Sequence, residues 1–179
     1  MTSIIHVAPL HKPAEGAARR IVRRLPEIFQ IPAEIVTLDI DLKKAFNPAR
    51  RQYHSGTILA ALLERAPATH GKVIGVTEVD LYIPVLTFVF GEAQLDGRAA
   101  VASMHRLRNS FYGLPKDEDL AFDRLEKEAV HELGHTFNLR HCENYSCVMH
   151  SSTYVEDIDL KGPAFCRECL ELIRRRTHA

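Results

Sequence analysis

The chain has 179 residues, enough for one domain whose core needs no disulfide staples. Hydrophobic residues make up 46% and charged residues 26%, which excludes a disordered chain. Its formal net charge of zero argues against bulk electrostatic capture of nucleic acid or an anionic membrane.

The opening MTSIIHVAPLHKPAEG lacks a basic segment followed by a long apolar run. It reads as a first strand, SIIHVAP, and not as a secretion signal. No apolar stretch is long enough to span a membrane, so the chain reads as cytoplasmic. AEGAARRIVRRLPEIF places Ala17, Ile21, Leu25 and Ile28 at helical spacing, with Pro26 expected to kink or end the helix. Its RRIVRR segment is a solvated helix face. EIVTLDI is a second strand. A helix from about Thr57 to Ala66 is stopped by Pro67. KVIGVTEVDLYIP is a third strand, and LTFVFGEAQ and RAAVASMHRL are two more, joined at Asp96-Gly97. One long helix then runs from about Glu118 to Asn138, capped by Asp117 and carrying an Asp123–Lys127 pair. The segment from Cys142 to Phe165 has no clear period, and CRECLELIRRRT closes the chain as a helix. This order gives an α/β (α+β) fold in a single domain, 1–179. The N-terminal lobe covers about 1–138 and the C-terminal lobe about 139–179.

The stretch HELGHTFNLRHC, residues 131–142, carries the chemistry. His131 and His135 are four apart on a helix, so they sit about 40° apart on one face. Both rings can reach one ion at about 2.0–2.1 Å. Glu132 stays close without taking a ligand position, the H-E-x-x-H arrangement with its Glu as general base. On a continued helix His141 would lie about 9 Å beyond His135 and could not join them. The helix must therefore stop after His135 and the chain must turn back. Asn138 is placed to take the left-handed backbone that this requires. Three neutral imidazoles leave a fourth position for water, as in a catalytic zinc site. Zinc lowers the pKa of that water and polarises a carbonyl, while Glu132 moves the proton to the leaving amine.

All four cysteines lie in the last quarter, as C-x4-C and C-x2-C. Side chains of adjacent residues diverge, so Cys142 does not share the ion held by His141. Cys142, Cys147, Cys166 and Cys169 make a complete thiolate set for a structural zinc that would tie the active-site turn to the last helix. Free thiols, two disulfides, or a redox C-x2-C are the alternatives; the last leaves Cys142 and Cys147 without a part.

His131, Glu132, His135 and His141 match the metzincin pattern H-E-x-x-H-x-x-G-x-x-H. With Cys142, Cys147-x-Met149 and Cys166-x-x-Cys169, the segment resembles the archaemetzincin family. Asn138 stands where that family usually has Gly. The resemblance implies a metzincin-like fold: a twisted mixed sheet of about five strands with backing helices, a long active-site helix and a small zinc-stabilised C-terminal lobe. It implies that Met149 forms the Met-turn beneath the histidines. It also implies peptidase activity, aminopeptidase in some members and without a settled substrate in others. By the same analogy, a strand near Leu86 to Val89 would border the cleft and pair with an extended peptide. His105, His150 and Tyr154 are assigned no role.

The reading is thus a zinc metallopeptidase with two zinc ions per chain, one catalytic and one structural. It acts on a peptide or protein substrate as a monomer, with neither nucleic acid nor membrane as partner. The competing reading is a catalytically quiet zinc protein that binds peptides. A nucleic-acid module built on the cysteines and Arg174, Arg175 and Arg176 is disfavoured by the neutral charge.

Overall fold

The computed structural model describes residues 4–68 and 71–177. Ser3, the first residue of the first strand-like stretch, lies outside the described residues. In chain order the elements are β1 (Ile5–Pro9), α1 (Glu15–Phe29), β2 (Ala33–Ile35), β3 (Phe46–Asn47), β4 (Gln52–His54), α2 (Ser55–Arg65), β5 (Lys72–Thr77), β6 (Leu81–Tyr82), β7 (Gly91–Ala93), β8 (Ala99–Ser103), α3 (Glu118–Thr136), α4 (Val155–Leu160) and α5 (Arg167–Thr177). Among the described residues the main sheet has five strands in the order β2-β1-β5-β8-β7. All pairings are parallel except that of the edge strand β7, which runs antiparallel to β8. A smaller sheet, β3-β4-β6, lies beside it.

The central strands are buried except at the ends, Pro9 and Lys72, because helices cover both faces, the usual situation of a largely parallel sheet. On one face Ala17, Ile21 and Leu25 of α1 and Leu125, Ala129 and Leu133 of α3 pack on Ile74, Val76, Ala100 and Ala102. On the other, Ile58, Leu59 and Leu62 of α2 pack on Val73, Ala99 and Val101. The first cluster continues through Val148, Met149 and Ile158 to Ile173 in α5, so the C-terminal segment shares the core of the sheet. Arg19, Arg20, Arg23 and Arg24 face solvent, and Arg20 and Arg24 pair with Asp119 and Glu126 of α3. Among the described residues no helix is long and apolar enough to cross a membrane.

Several elements differ from the sequence reading. The helix α1 passes Pro26 and ends at Phe29, where Gln30 turns left-handed and donates its N–H to the Pro26 carbonyl. The second strand shrinks to Ala33–Ile35. The third divides between two sheets at Glu78–Asp80, where side chains replace the ladder. His11 Nε2 accepts from the Glu78 N–H, and Arg106 takes the Asp80 carboxylate. Leu86–Val89 is no strand beyond a single bridge from Val89 to Leu81. Pro84 precedes it, and the Leu86 and Thr87 carbonyls are taken by the side chains of Arg50 and Gln52. The edge strand at the cleft is therefore β7. Lys127 does not pair with Asp123; its ammonium donates to the Ile158 carbonyl and fastens α4 to α3. The helix α4 itself lies in the stretch that showed no period.

Candidate active site

The helix α3 positions the first two histidines, and both of its ends are chemically defined. Asp117 Oδ1 accepts the Leu120 N–H at 2.9 Å, and Glu118 and Asp119 complement the positive end of the dipole. At the other end Asn138 has φ of 67°, its N–H donates to the His135 carbonyl, and the Leu139 N–H reaches back to Gly134. These two bonds form a Schellman turn with asparagine in the left-handed position. Lys72 donates to the Thr136 carbonyl at 2.8 Å, and the Asp96 N–H donates to His135. The last carbonyls of the helix are thus satisfied while the chain reverses.

The reversal brings His141 back to the pair. One ligand atom from each of His131, His135 and His141 lies within 4.8 Å of the others. His131 Nδ1 donates to the Val148 carbonyl and His135 Nδ1 to the Leu139 carbonyl, each at 2.8 Å. A carbonyl only accepts, so Nδ1 carries the proton and Nε2 carries the lone pair in both rings. These two Nε2 atoms face each other at 3.1 Å. Two lone pairs at that distance repel unless a cation lies between them. Tetrahedral bonds of about 2.0–2.1 Å would place the nitrogens about 3.3 Å apart. Burial lowers the pKa of all three imidazoles, with the Lys161 charge adding to it, and favours the neutral form that a metal requires.

Glu132 is buried beneath β7. A methyl on Gly91 would stand 2.6 Å from Glu132 Cγ and 2.6 Å from the Val101 carbonyl oxygen, so only glycine lets strand and carboxylate approach this closely. Burial, with Glu128 and Glu92 near, pushes the Glu132 carboxyl well above the ordinary range, and Lys161 opposes them. A cation at the histidines would act in the same direction as Lys161. The cleft in front measures about 550 Å³. It is lined by Leu86 and Phe88, by β7 and by Ser151 to Tyr154.

Met149 is fully buried, and its sulfur lies where a methyl on Gly134 would stand, 2.5 Å from it. Glycine at 134 therefore admits the thioether against the helix between the two histidines. Beside Met149, His150 Nδ1 contacts the Cys142 carbonyl. His105 lies elsewhere, bonded to the Glu78 carbonyl and set edge-on to the Phe111 ring. The sequence reading missed Gly91, Gly134, and a buried pair between Lys161 and Glu128 behind His131. Gly134 sits at an unconstrained position of H-E-x-x-H, and Gly91 lies in no motif. Lys161 lies in an aperiodic stretch, where nothing in the sequence marks it as buried.

Sulfur atoms of Cys142, Cys147, Cys166 and Cys169 all lie within 4.8 Å of one another, and none is in a disulfide. Cys142 and Cys166 are 3.8 Å apart, close to the spacing of about 3.8 Å that tetrahedral bonds of about 2.3 Å produce. The Cys166 N–H points at Cys147 Sγ at 3.3 Å. Burial pushes the Cys169 thiol far up, and the neighbouring Cys147 and Cys142 add to it. Cys166 is shifted the other way: burial opposes its thiolate, but hydrogen bonds from Cys169, Cys147 and Cys142 outweigh it and lower its pKa. A cation would favour the thiolate form of all four, and the donor set suits zinc.

Comparison with known proteins follows the same lines. The profile of peptidase family M54 matches residues 30–175. An archaemetzincin from Methanocaldococcus jannaschii is 40% identical over 172 residues, 96% of this chain and 93% of that protein. One from Thermococcus kodakarensis is 48% identical over 128 residues, 70% of this chain and 68% of its own length. The crystal structure of archaemetzincin from Methanopyrus kandleri superposes with a TM-score of 0.86 at 32% identity, covering 99% of this chain and 97% of that one.

Proposed function

The chain belongs to peptidase family M54, the archaemetzincins, and is a zinc metallopeptidase, and we propose that His131, His135 and His141 hold its catalytic zinc with Glu132 as general base and acid. The observation that carries this assignment is the pair of facing Nε2 lone pairs at 3.1 Å beside a buried carboxylate. Zinc held by the three imidazoles supplies Lewis acidity to water and to the scissile carbonyl. The chain's own residues do the rest. Glu132 takes a proton from the attacking water and returns it to the leaving nitrogen. Val148 and Leu139 hold two imidazoles in the tautomer that presents Nε2. The edge strand β7 lines the cleft and offers backbone groups to an extended peptide, which would lie in it as an added strand. Met149 forms the floor, and Asn138 makes the turn that delivers His141.

The finer reading is an aminopeptidase. Glu92, on the strand lining the cleft, has a buried carboxylate oxygen, Oε2, with no hydrogen-bond partner among the described residues. It is an acceptor of the kind that a substrate ammonium needs. The four cysteines hold a second, structural zinc, giving two ions per chain. We read residues 1–179 as one catalytic domain, supported by the core that continues from β1 to α5. A monomer working on peptides without nucleic acid fits the neutral charge. The test is mass-spectrometric analysis of a mixed peptide library cut by zinc-loaded protein beside Glu132→Ala. Wild type should yield products at a rate about 10²–10⁴ above the variant. Release of single N-terminal residues would establish the aminopeptidase. Equal turnover by both proteins would remove Glu132 from its role.

A further inference from the structure

Lys161 is a charged group that the reaction leaves without a part. Its side chain is wholly enclosed, and that of its partner Glu128 is 5% exposed. A buried ion pair is a poor source of stability, because desolvation offsets the attraction and well-packed apolar residues often serve as well. Where this pair sits is more informative. Lys161 Nζ donates to Glu128 Oε1 at 2.9 Å and to the His150 carbonyl at 3.3 Å, and stands 3.5 Å from His131 Nδ1. An ammonium has no lone pair to offer, and His131 Nδ1 already donates to Val148. The contact with His131 is therefore charge against the back of the ring. The backbone is fixed at the same place: the Lys161 N–H bonds to Asp157, and the Gly162 N–H bonds to Ser146 at 3.0 Å.

Lys161 thus joins three parts: α3 one turn before Glu132, the backbone next to Met149, and the far side of His131. We propose that the Lys161–Glu128 pair is a positioning device for the metal site. It holds the segment 146–150 against α3 in the register where the Val148 carbonyl meets His131 Nδ1, which turns Nε2 toward the cleft. The inference rests on the reading of the histidines as zinc ligands.

The decisive variant is Lys161→Met combined with Glu128→Leu, which replaces the pair by apolar side chains. A milder one is Glu128→Gln, which keeps an acceptor for the ammonium. Each is followed by thermal unfolding, by zinc affinity of the histidine site in chelator competition, by the visible spectrum of cobalt(II) loaded there with zinc left at the cysteines, and by kcat and KM separately. The double variant should unfold at or near the wild-type temperature. Its zinc affinity should nevertheless fall about 10–100-fold, the usual cost of losing a partner behind a ligand. The cobalt spectrum should shift, and kcat should fall while KM stays within about twofold. Glu128→Gln should show the same changes more weakly. Wild-type zinc affinity and spectrum in either folded variant would overturn the proposal. A wild-type protein that binds no metal at the histidines would overturn the underlying assignment first, and the two failures are distinct.

Discussion

The histidine and cysteine clusters are adjacent in the chain and opposite in construction. Two histidines ride on the 19-residue helix α3, whose ends are capped and whose buried face packs on the sheet. The helix positions their backbone whether or not a metal is present. The four cysteines lie on irregular backbone and on the first turn of α5, and no ladder or long helix orients them. Three ligands facing a cleft leave room for substrate, whereas four ligands leave none. With the zinc ions proposed above, the chain supports the open cluster with secondary structure, and the closed cluster would support the chain. Cys142 directly follows His141, and Cys147 lies two residues before Met149, so the proposed structural zinc would hold the loop that completes the open site.

The comparison breaks most visibly on loss of each metal. For zinc-finger peptides the ion supplies about 10–16 kcal/mol of folding free energy. Cys169→Ser should accordingly loosen the segment 139–177, lower the unfolding temperature by about 10 °C or more, and abolish activity together with protease resistance. His135→Ala should also abolish activity, yet leave the protease pattern unchanged and lower the unfolding temperature by only about 4 °C or less. Limited proteolysis with differential scanning calorimetry decides between them. Equal stability losses in the two variants would mean that the clusters do not divide the work in this way.

A smaller effect separates the metal-free sites by pH. The histidines titrate lower in the folded protein than the ordinary 6.5, so below that pH the unfolded chain binds more protons. Metal-free stability should rise with pH through the window below about 6.5 and be lost progressively as pH falls through it. Glu132 works against this trend, because its raised pKa makes the folded chain keep a proton that the unfolded chain releases above 4.5. Cys169 titrates above its ordinary 9.0, so above that pH the unfolded chain has already released its proton. Metal-free stability should then fall as pH rises. Urea unfolding of chelator-treated protein between pH 5 and 10 should trace a dome. His131→Gln should flatten its acid side and Cys169→Ala its alkaline side; a profile indifferent to both substitutions would refute the assignment.

The same contrast explains how far the sequence could be read. Periodic burial made α1, α2 and α3 legible, as did the β-branched runs of β1 and β5. The motif spacing named every member of both clusters. The segment Leu86–Val89 differs from its sequence reading because side chains, not a ladder, bind most of its backbone. Arg50 and Gln52 take the carbonyls of Leu86 and Thr87, and so a run with the composition of a strand becomes part of the lining of the cleft. Gly91, Gly134 and Lys161 owe their roles to close approaches between segments distant in sequence, which one-dimensional spacing does not record.

The smallest expected effect concerns the residue that links the two regions. Asn138 at φ 67° stands where the archaemetzincin pattern has glycine. Asparagine tolerates this conformation better than other residues with a Cβ, because its short polar side chain bonds locally. Asn138→Gly removes the Cβ strain in the folded chain but adds freedom to the unfolded one, so the two terms nearly cancel. Stability should change by about 0.5 kcal/mol or less, with zinc affinity unaltered. Asn138→Ala lacks asparagine's intrinsic tolerance of this conformation and should cost about 1–2 kcal/mol. Because the Leu139 carbonyl orients His135 and His141 follows two residues later, the alanine variant should also bind zinc more weakly. Chelator competition on the three proteins tests the ordering. An alanine variant as stable and as tightly loaded as the glycine one would show that the left-handed turn does not constrain the site, and that contacts beyond Asn138 are sufficient to return His141 to the helix.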